Sequence, residues 1–276
     1  MADIQREFNM TQTDFSVISE LAYNYTGIVL GEHKQDMVYG RLARRMRALR
    51  LSDFSDYCPL ISDPSSQETG LFINALTTNL TAFFRESHHF DFLANTVCKE
   101  YLQRTTGERK IRAWSAACST GEEPYSMALV LRENIDCRHW DCKVLATDLD
   151  SKVLQHAKQG IYDNERLKDL SSTRKKKWFL HDRNHPDIAK VKPSLQELIR
   201  FKRLNLLESW PMRGSFDLIF CRNVMIYFDI QTQQKMLNGF ASILKPGGYL
   251  FIGHSENLHG ASVHFESMGQ TIFKRK

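Results

Sequence analysis

The chain of 276 residues has no apolar run approaching the roughly 20 residues that a membrane span requires, and its first ten residues hold no hydrophobic signal region. Membrane insertion is not expected, and the cytosol is the expected compartment. Cysteine is scarce and scattered, at positions 58, 98, 118, 137, 142 and 221 with no CxxC pair. Such spacing argues for reduced, buried thiols rather than bridges or a zinc module. His88 and His89 are adjacent and point apart on a helix, with no cysteine or carboxylate recognised at ligand spacing, so no metal is expected. Glycine is missing where a phosphate would need it. The turn Cys118-Ser-Thr-Gly-Glu-Glu-Pro124 contains one glycine and two glutamates, which excludes the Gly-rich cradle for a pyrophosphate.

That turn is nevertheless the centre of the chain. Lys110 to Ala117 reads as an apolar strand, and Tyr125, Ala128, Leu129 and Arg132 recur at helical spacing after Pro124. Pro124 suits a first helical turn, and Gly121 permits close approach of the backbone to whatever lies there. A second strand, from Cys142, ends on Asp148, where a βαβ unit of Rossmann type grips a ribose diol. Acidic residues beside the turn suit a cationic nucleoside, and S-adenosylmethionine, with its ammonium and sulfonium groups, is such a ligand.

Upstream lie four expected helices. Thr13-Asp14 is read as the cap of the first, Gly27 as its stop, 35–49 as the second, Ser52 or Asp53 as the cap of the third, and 67–76 as the fourth. On the second, Val38, Leu42, Met46 and Leu49 are the expected buried side, with Arg41, Arg44 and Arg45 projecting away from it. Residues 1–75 carry seven Lys/Arg against ten Asp/Glu, yet five arginines fall between 41 and 50 without an acid. Residues 166–203 carry twelve Lys/Arg against four Asp/Glu. Two local basic patches suggest an acidic macromolecular partner.

Downstream of a linker rich in aromatic and polar residues, one helix is expected from Ser87 to Arg104 and another from Ser151 to Gly160. The proline-broken stretch around 178–197 interrupts the βα rhythm and reads as a small hairpin insertion. Strands at 198–205 and Phe216 to Cys221 follow, the latter ending on Arg222-Asn223. A helix from Gln231 to Leu244, a strand from Tyr249 to Gly253, and an antiparallel closing strand from Ile272 to Arg275 complete the pattern.

The runs Asn79-Leu-Thr-Ala-Phe-Phe-Arg-Glu86, Trp114 to Ser126, Ile219 to Phe228 and Gly253-His-Ser-Glu-Asn257 resemble the CheR family of chemotaxis-receptor glutamate O-methyltransferases. The resemblance spans nearly the whole chain. It implies an α/β, Rossmann-like class I methyltransferase with a doubly wound, mostly parallel sheet and an inserted antiparallel β-subdomain, preceded by an all-α N-terminal domain. The implied organisation is a receptor-recognition domain over 1–76, a pocket-lining linker over 77–90, and the methyltransferase domain over 91–276. The implied cofactor is S-adenosylmethionine, leaving as S-adenosylhomocysteine, and the implied partners are chemotaxis receptors (methyl-accepting chemotaxis proteins).

Carried over by motif, the resemblance implies Asn79, Thr81, Arg85, Glu122, Asp148, Asn205, Leu206, Arg222 and Asn223 around the cofactor. Tyr227 would face the reacting methyl with Arg85. Apart from the resemblance, the positive charge of Arg41, Arg44 and Arg45 would complement a receptor helix bearing the target glutamates. A glutamate nucleophile is ionised at neutral pH, its reference pKa being about 4.3, so no general base is expected. A nucleic-acid methyltransferase is the alternative. It lacks support, because the strand ending Phe220-Cys-Arg-Asn-Val224 has no Asn/Asp-Pro-Pro-aromatic sequence and the arginine row has no interleaved aromatics for stacking bases. A module that only binds S-adenosylmethionine is a third reading, opposed by Arg85, Asp148, Asn223 and Tyr227 all being present. Receptors in this family can offer a C-terminal pentapeptide to the insertion. Here His181 to Ile188 has no glycine and contains Pro186, so binding of that peptide is not expected.

Overall fold

A computed structural model of the chain describes residues 6–105, 107–182 and 184–276. Met1–Gln5 and Arg183, both within stretches read above, lie outside them. The chain forms two compact units, one holding the chain up to Thr78 together with Tyr227–Asp229, the other Asn79–Ile226 with Ile230–Lys276.

The first unit contains α1 (Gln12–Thr26), α2 (Gln35–Leu49), α3 (Phe54–Ser62) and α4 (Gln67–Leu76). The cap of α1 is Thr11 rather than Thr13-Asp14. The Thr11 side chain accepts from Asp14 N–H, and the Asp14 carboxylate takes Thr11 N–H at 2.8 Å, so Asp14 is the reciprocal third residue of a capping box. Gly27 ends the helix in the left-handed region, at φ 72°. Val38, Leu42 and Met46 are fully buried with Ile18, Phe54, Tyr57 and Phe72. Leu49, expected among them, is only half-buried.

The expected row of outward arginines does not form. Arg41 and Arg45 follow Val38 and Leu42 by three positions, which puts them beside the buried stripe. The Arg41 guanidinium donates to the carbonyls of Leu76 and Thr77 and to the Thr78 hydroxyl. Arg45 closes on Glu68 through two nitrogens, and Glu68 also accepts from the Tyr57 hydroxyl at 3.0 Å. Of the three, only Arg44 is exposed.

The second unit opens with a helical stretch over 88–103 that is not one regular helix. It comprises α5 (His88–Phe92), a π-wound turn Leu93–Val97, and α6 (Cys98–Gln103). Then come β1 (Lys110–Ala116), α7 (Glu122–Asn134), β2 (Asp141–Asp148) and α8 (Ser151–Gln159). After β3 (Ile161–Asp163) follow α9 (Ser172–Trp178), β4 (Phe179–His181), β5 (Ile188–Val191), α10 (Pro193–Gln196) and β6 (Ile199–Arg203). The chain ends through β7 (Phe216–Cys221), α11 (Ile230–Ile243), β8 (Leu244–Ile252), β9 (Phe265–Gly269) and β10 (Ile272–Arg275).

The main sheet has the order β6-β2-β1-β7-β8-β10-β9. Strands β6, β2, β1, β7 and β8 pair in parallel, and β10 pairs antiparallel with both β8 and β9. β7 is buried at all six positions, as a central strand covered on both faces must be. Register aligns the strand ends, with Ala116 beside both Thr147 and Cys221, and Asp148 beside Arg203. One edge of the sheet therefore presents the ends of four parallel strands. The small sheet, β3-β5-β4, is antiparallel and begins at Ile161, earlier than the hairpin expected around 178–197. A three-residue strand carries too little alternation to be seen in sequence. No helix among the described residues is long and apolar enough to cross a membrane.

Candidate active site

The carboxyl-terminal edge of the main sheet is built on a turn that ordinary backbone geometry does not favour. Between β1 and α7, Ala117, Ser119 and Gly121 have φ of 64°, 49° and 99°. A Cβ at Gly121 would lie 2.8 Å from both the Ala157 Cβ and the Tyr162 hydroxyl, so what the glycine admits is α8 and β3 rather than a ligand. The twisted turn aims the Ser119 N–H at Asp148 Oδ2, 2.8 Å away, while Asp150 N–H reaches Oδ1 at 2.9 Å. Burial raises the Asp148 pKa to about 6, opposed by those N–H groups. Each oxygen keeps a lone pair for a further donor. Asp150 in turn caps α8 and accepts from the Asn79 side chain at 2.9 Å, and the Ser119 hydroxyl donates to the Asn79 carbonyl at 3.0 Å. Segment 79–86 is thereby fastened across the turn, with Phe84 N–H bonded to the Ser126 hydroxyl.

At the end of β7 lies a second set of buried charges. The Arg222 guanidinium reaches Glu123 at 3.1 Å, Glu86 at 3.3 Å and the Arg85 carbonyl. Glu123 also accepts from the Ser115 hydroxyl at 2.7 Å; burial pushes its pKa up and Arg222 opposes the rise. Burial pushes Glu86 up too, but His254, Arg222 and Asn223 outweigh it and hold its carboxyl at about 2. Glu256 binds the turn after β7 from below, accepting the N–H groups of Asn223, Val224, Met225 and Gly253. A Cβ at Gly253 would stand 2.8 Å from the Asn223 backbone nitrogen, so this approach needs glycine. Phe84, Glu86 and Asn223 are also left-handed, at φ 54°, 54° and 58°. With Ala117 and Ser119, five of the nine such non-glycine residues described sit in this one region. Strain held in place by so many hydrogen bonds makes this edge the candidate site.

The all-alpha domain of the CheR methyltransferases matches residues 13–77, and the S-adenosylmethionine-binding domain of the same enzymes matches residues 79–274. The chain belongs to the CheR methyltransferase family. It is 46% identical over 276 residues to the chemotaxis protein methyltransferase of Klebsiella aerogenes, covering 99% of this chain and 93% of that one. It is likewise 46% identical to chemotaxis protein methyltransferase 2 of Pseudomonas aeruginosa, over 97% of this chain and 95% of that one. The Escherichia coli K12 chemotaxis protein methyltransferase is 46% identical across 96% of this chain and 91% of its own. S-adenosylmethionine is the cofactor of this CheR chain. The sheet edge offers a group that fits it, since a buried carboxylate with a spare lone pair suits the ribose diol.

The residues expected around the cofactor differ in how far their side chains are already committed. Asp148, Asn79 and Ser119 form one bonded group, of which Ser119 was not foreseen. Thr81 and Arg85 are half-buried, and Arg85 donates to the Leu80 carbonyl at 2.8 Å. Glu122 is fully buried, accepts from the Thr120 hydroxyl at 2.6 Å, and pairs with Arg166. Asn205 and Leu206 follow β6, with Asn205 accepting Leu207 N–H at 3.1 Å and the Leu206 carbonyl accepting from Trp210. The Arg222 guanidinium is committed to Glu86, Glu123 and the Arg85 carbonyl. Asn223 donates its amide to Glu86 at 3.2 Å. Tyr227 belongs to the first unit, where its carbonyl accepts Val29 N–H at 2.9 Å. Glu86, Glu123 and Glu256 were not singled out, although all three stand inside the motifs that carry the resemblance. The structure also gathers Glu86, His88 and His89 with potential ligand atoms within 4.8 Å, a carboxylate neighbour that the reading of the histidines overlooked. Glu86 is already bonded to Arg222, Asn223 and His254, and His89 Nε2 lies 3.0 Å from the Gln270 carbonyl.

Proposed function

We propose that this protein transfers the methyl group of S-adenosylmethionine to glutamate side chains on the cytoplasmic helices of chemotaxis receptors, forming methyl esters that adapt sensory signalling, and that it does so in the cytoplasm. The observation that carries the reading is the fixed, buried Asp148 carboxylate at the strained edge, in a chain that matches both CheR domains. S-adenosylmethionine supplies an electrophilic methyl on a sulfonium. The substrate carboxylate is already ionised, so the side chains need to orient rather than remove a proton. Asp148 fixes the nucleoside, Glu122 takes the ammonium end in exchange for its pairing with Arg166, and Arg85 pairs with the incoming carboxylate or the carboxylate of the cofactor. Tyr227 orients the nucleophile through its hydroxyl. Opposite charges vanish during transfer, a step that polar solvent slows, so alignment and exclusion of water are the contributions asked of the chain. For receptor binding, Arg44 is the exposed cation among Arg41, Arg44 and Arg45, which leaves Arg41 and Arg45 the task of supporting the helix that presents it.

The test is incubation with labelled S-adenosylmethionine and receptor-containing membranes. Base-labile methyl esters on receptor glutamates are expected; alkali-stable label on nucleic acid instead would overturn the proposal.

A further inference from the structure

Arg85 stands between two residues whose backbone is left-handed, Phe84 and Glu86, each at φ 54°. Side chains of this kind rarely enter that region, so a pair of them around one arginine must be held from outside. Each residue of the turn has such a hold. Phe84 N–H donates to the Ser126 hydroxyl at 3.0 Å, and the Arg85 carbonyl accepts from the Arg222 guanidinium. Glu86 is held by its carboxylate, whose side chain is only 12% exposed. Its Oε1 accepts from His254 Nδ1 at 3.0 Å and from the Asn223 amide at 3.2 Å, while Oε2 faces Arg222 at 3.3 Å. Charge balance alone does not call for this acid, because Arg222 already has a buried carboxylate in Glu123, 3.1 Å away. What the second carboxylate adds is a tie from residues 84–86 to the segments that follow β7 and β8, through Asn223 and His254. Directed by this turn, Arg85 donates to the Leu80 carbonyl at 2.8 Å.

We propose, building on the role given to Arg85 above, that Glu86 is the positioning residue of Arg85 and that His254 is its outer fastening. The Glu86 carboxylate keeps residue 86 left-handed and so fixes the direction in which the Arg85 guanidinium leaves the chain. Neither Glu86 nor His254 touches the reacting atoms; both act through Arg85. The His254 side chain is 69% exposed, so it contributes little to packing, and its bond to Glu86 can be removed without opening the core.

The test is a double-mutant cycle on methyl transfer to receptor-containing membranes, with S-adenosylhomocysteine binding followed by calorimetry on the same full-length proteins. His254→Ala should melt with the wild-type protein yet lower kcat/KM roughly three- to tenfold, the worth of one hydrogen bond. In an Arg85→Ala background the same change should have no further effect, and S-adenosylhomocysteine affinity should shift no more than it does in Arg85→Ala alone. Glu86→Gly should keep a kcat/KM at least about fivefold above that of Glu86→Ala, since glycine adopts the left-handed region without strain, and this difference too should vanish without Arg85. Unchanged kcat/KM in His254→Ala, losses that multiply in the double variants, or an alanine at position 86 as active as a glycine would each overturn the positioning role while the wild-type protein still methylates receptors. Should the Glu86 variants fail to fold, the cycle between His254 and Arg85 decides alone. A wild-type protein that esterifies no receptor glutamate would remove the assigned function and this role with it, so the two failures are distinct.

Discussion

Asp148 answers to two opposed demands, since burial favours its protonated form while a grip on a ribose diol needs the carboxylate. Its folded pKa of about 6 lies above an unfolded value near 3.9. The stability it contributes is thus complete below about pH 4 and is lost as pH rises through about 6, a change on the order of 3 kcal/mol. Glu123 and Glu256, also raised, act with the same sign, whereas Glu86, lowered, contributes stability that is lost as pH falls toward about 2. Without ligand, Asp148→Asn should flatten the fall in melting temperature between pH 4 and 6; with ligand, it should weaken S-adenosylmethionine binding at neutral pH by about 1.5–3 kcal/mol in calorimetry. Wild-type affinity should itself decline below about pH 6. The arginines of α2 give a second contrast at this scale. Arg45→Ala leaves the buried Glu68 with Tyr57 alone and should cost about 1.5–3 kcal/mol in denaturant unfolding, whereas exposed Arg44→Ala should stay within about 0.5 kcal/mol. Arginine is counted as a surface residue by type, so its commitment to Glu68, 23 positions away, was invisible until α2 and α4 were packed.

Elements were more legible than side chains. The strand, turn and helix around Gly121 follow from local pattern and were read close to their observed bounds, as was the antiparallel last strand. The π-wound turn Leu93–Val97 and the strand β3 were not, because a single wider turn leaves helical spacing nearly unchanged and three residues show no period. The Cys118–Gly121 turn predicts its own sensitivity. Gly121→Ala must accept both φ 99° and contacts at 2.8 Å, so it should destabilise by more than about 1 kcal/mol, while Gly40→Ala, exposed within α2 with open space around it, should stabilise by roughly 0.5–1 kcal/mol. The turn after β7 depends on a single acid. Glu256→Gln gives up charge-assisted bonds to four N–H groups and should cost about 1.5–3 kcal/mol while lowering kcat for methyl transfer at temperatures where the variant is folded. Unchanged turnover would show that the turn keeps its shape without the clamp.

At the scale of the whole molecule, the proposed receptor binding bears on the small sheet. The loop between β4 and β5 is fastened rather than open: the Pro186 carbonyl accepts from the Asn164 side chain, and the Asp187 carbonyl accepts Asn164 N–H at 2.8 Å. Strand β5 is paired on both sides, and the segment that follows the edge strand β4 lacks glycine and contains Pro186. Calorimetric titration with receptor C-terminal peptides should therefore give no saturable heat, and tail-truncated receptors should be methylated at the full rate; micromolar binding mapped to 181–196 would refute this. The contiguous pattern of helices before Thr77 gave no hint that the first unit also takes in Tyr227–Asp229, where Tyr23 bonds Asp229 at 2.9 Å and Val29 bonds Tyr227. Such long-range contributions leave no periodic trace in a sequence. They do leave one in time. On a ribosome the four helices emerge first, but the residues that complete their unit follow about 150 positions after Thr78, roughly 7–30 s later at 5–20 residues per second. The first unit to be synthesised is consequently among the last to be finished, and a nascent chain stalled before Tyr227 would hold it without its final three residues.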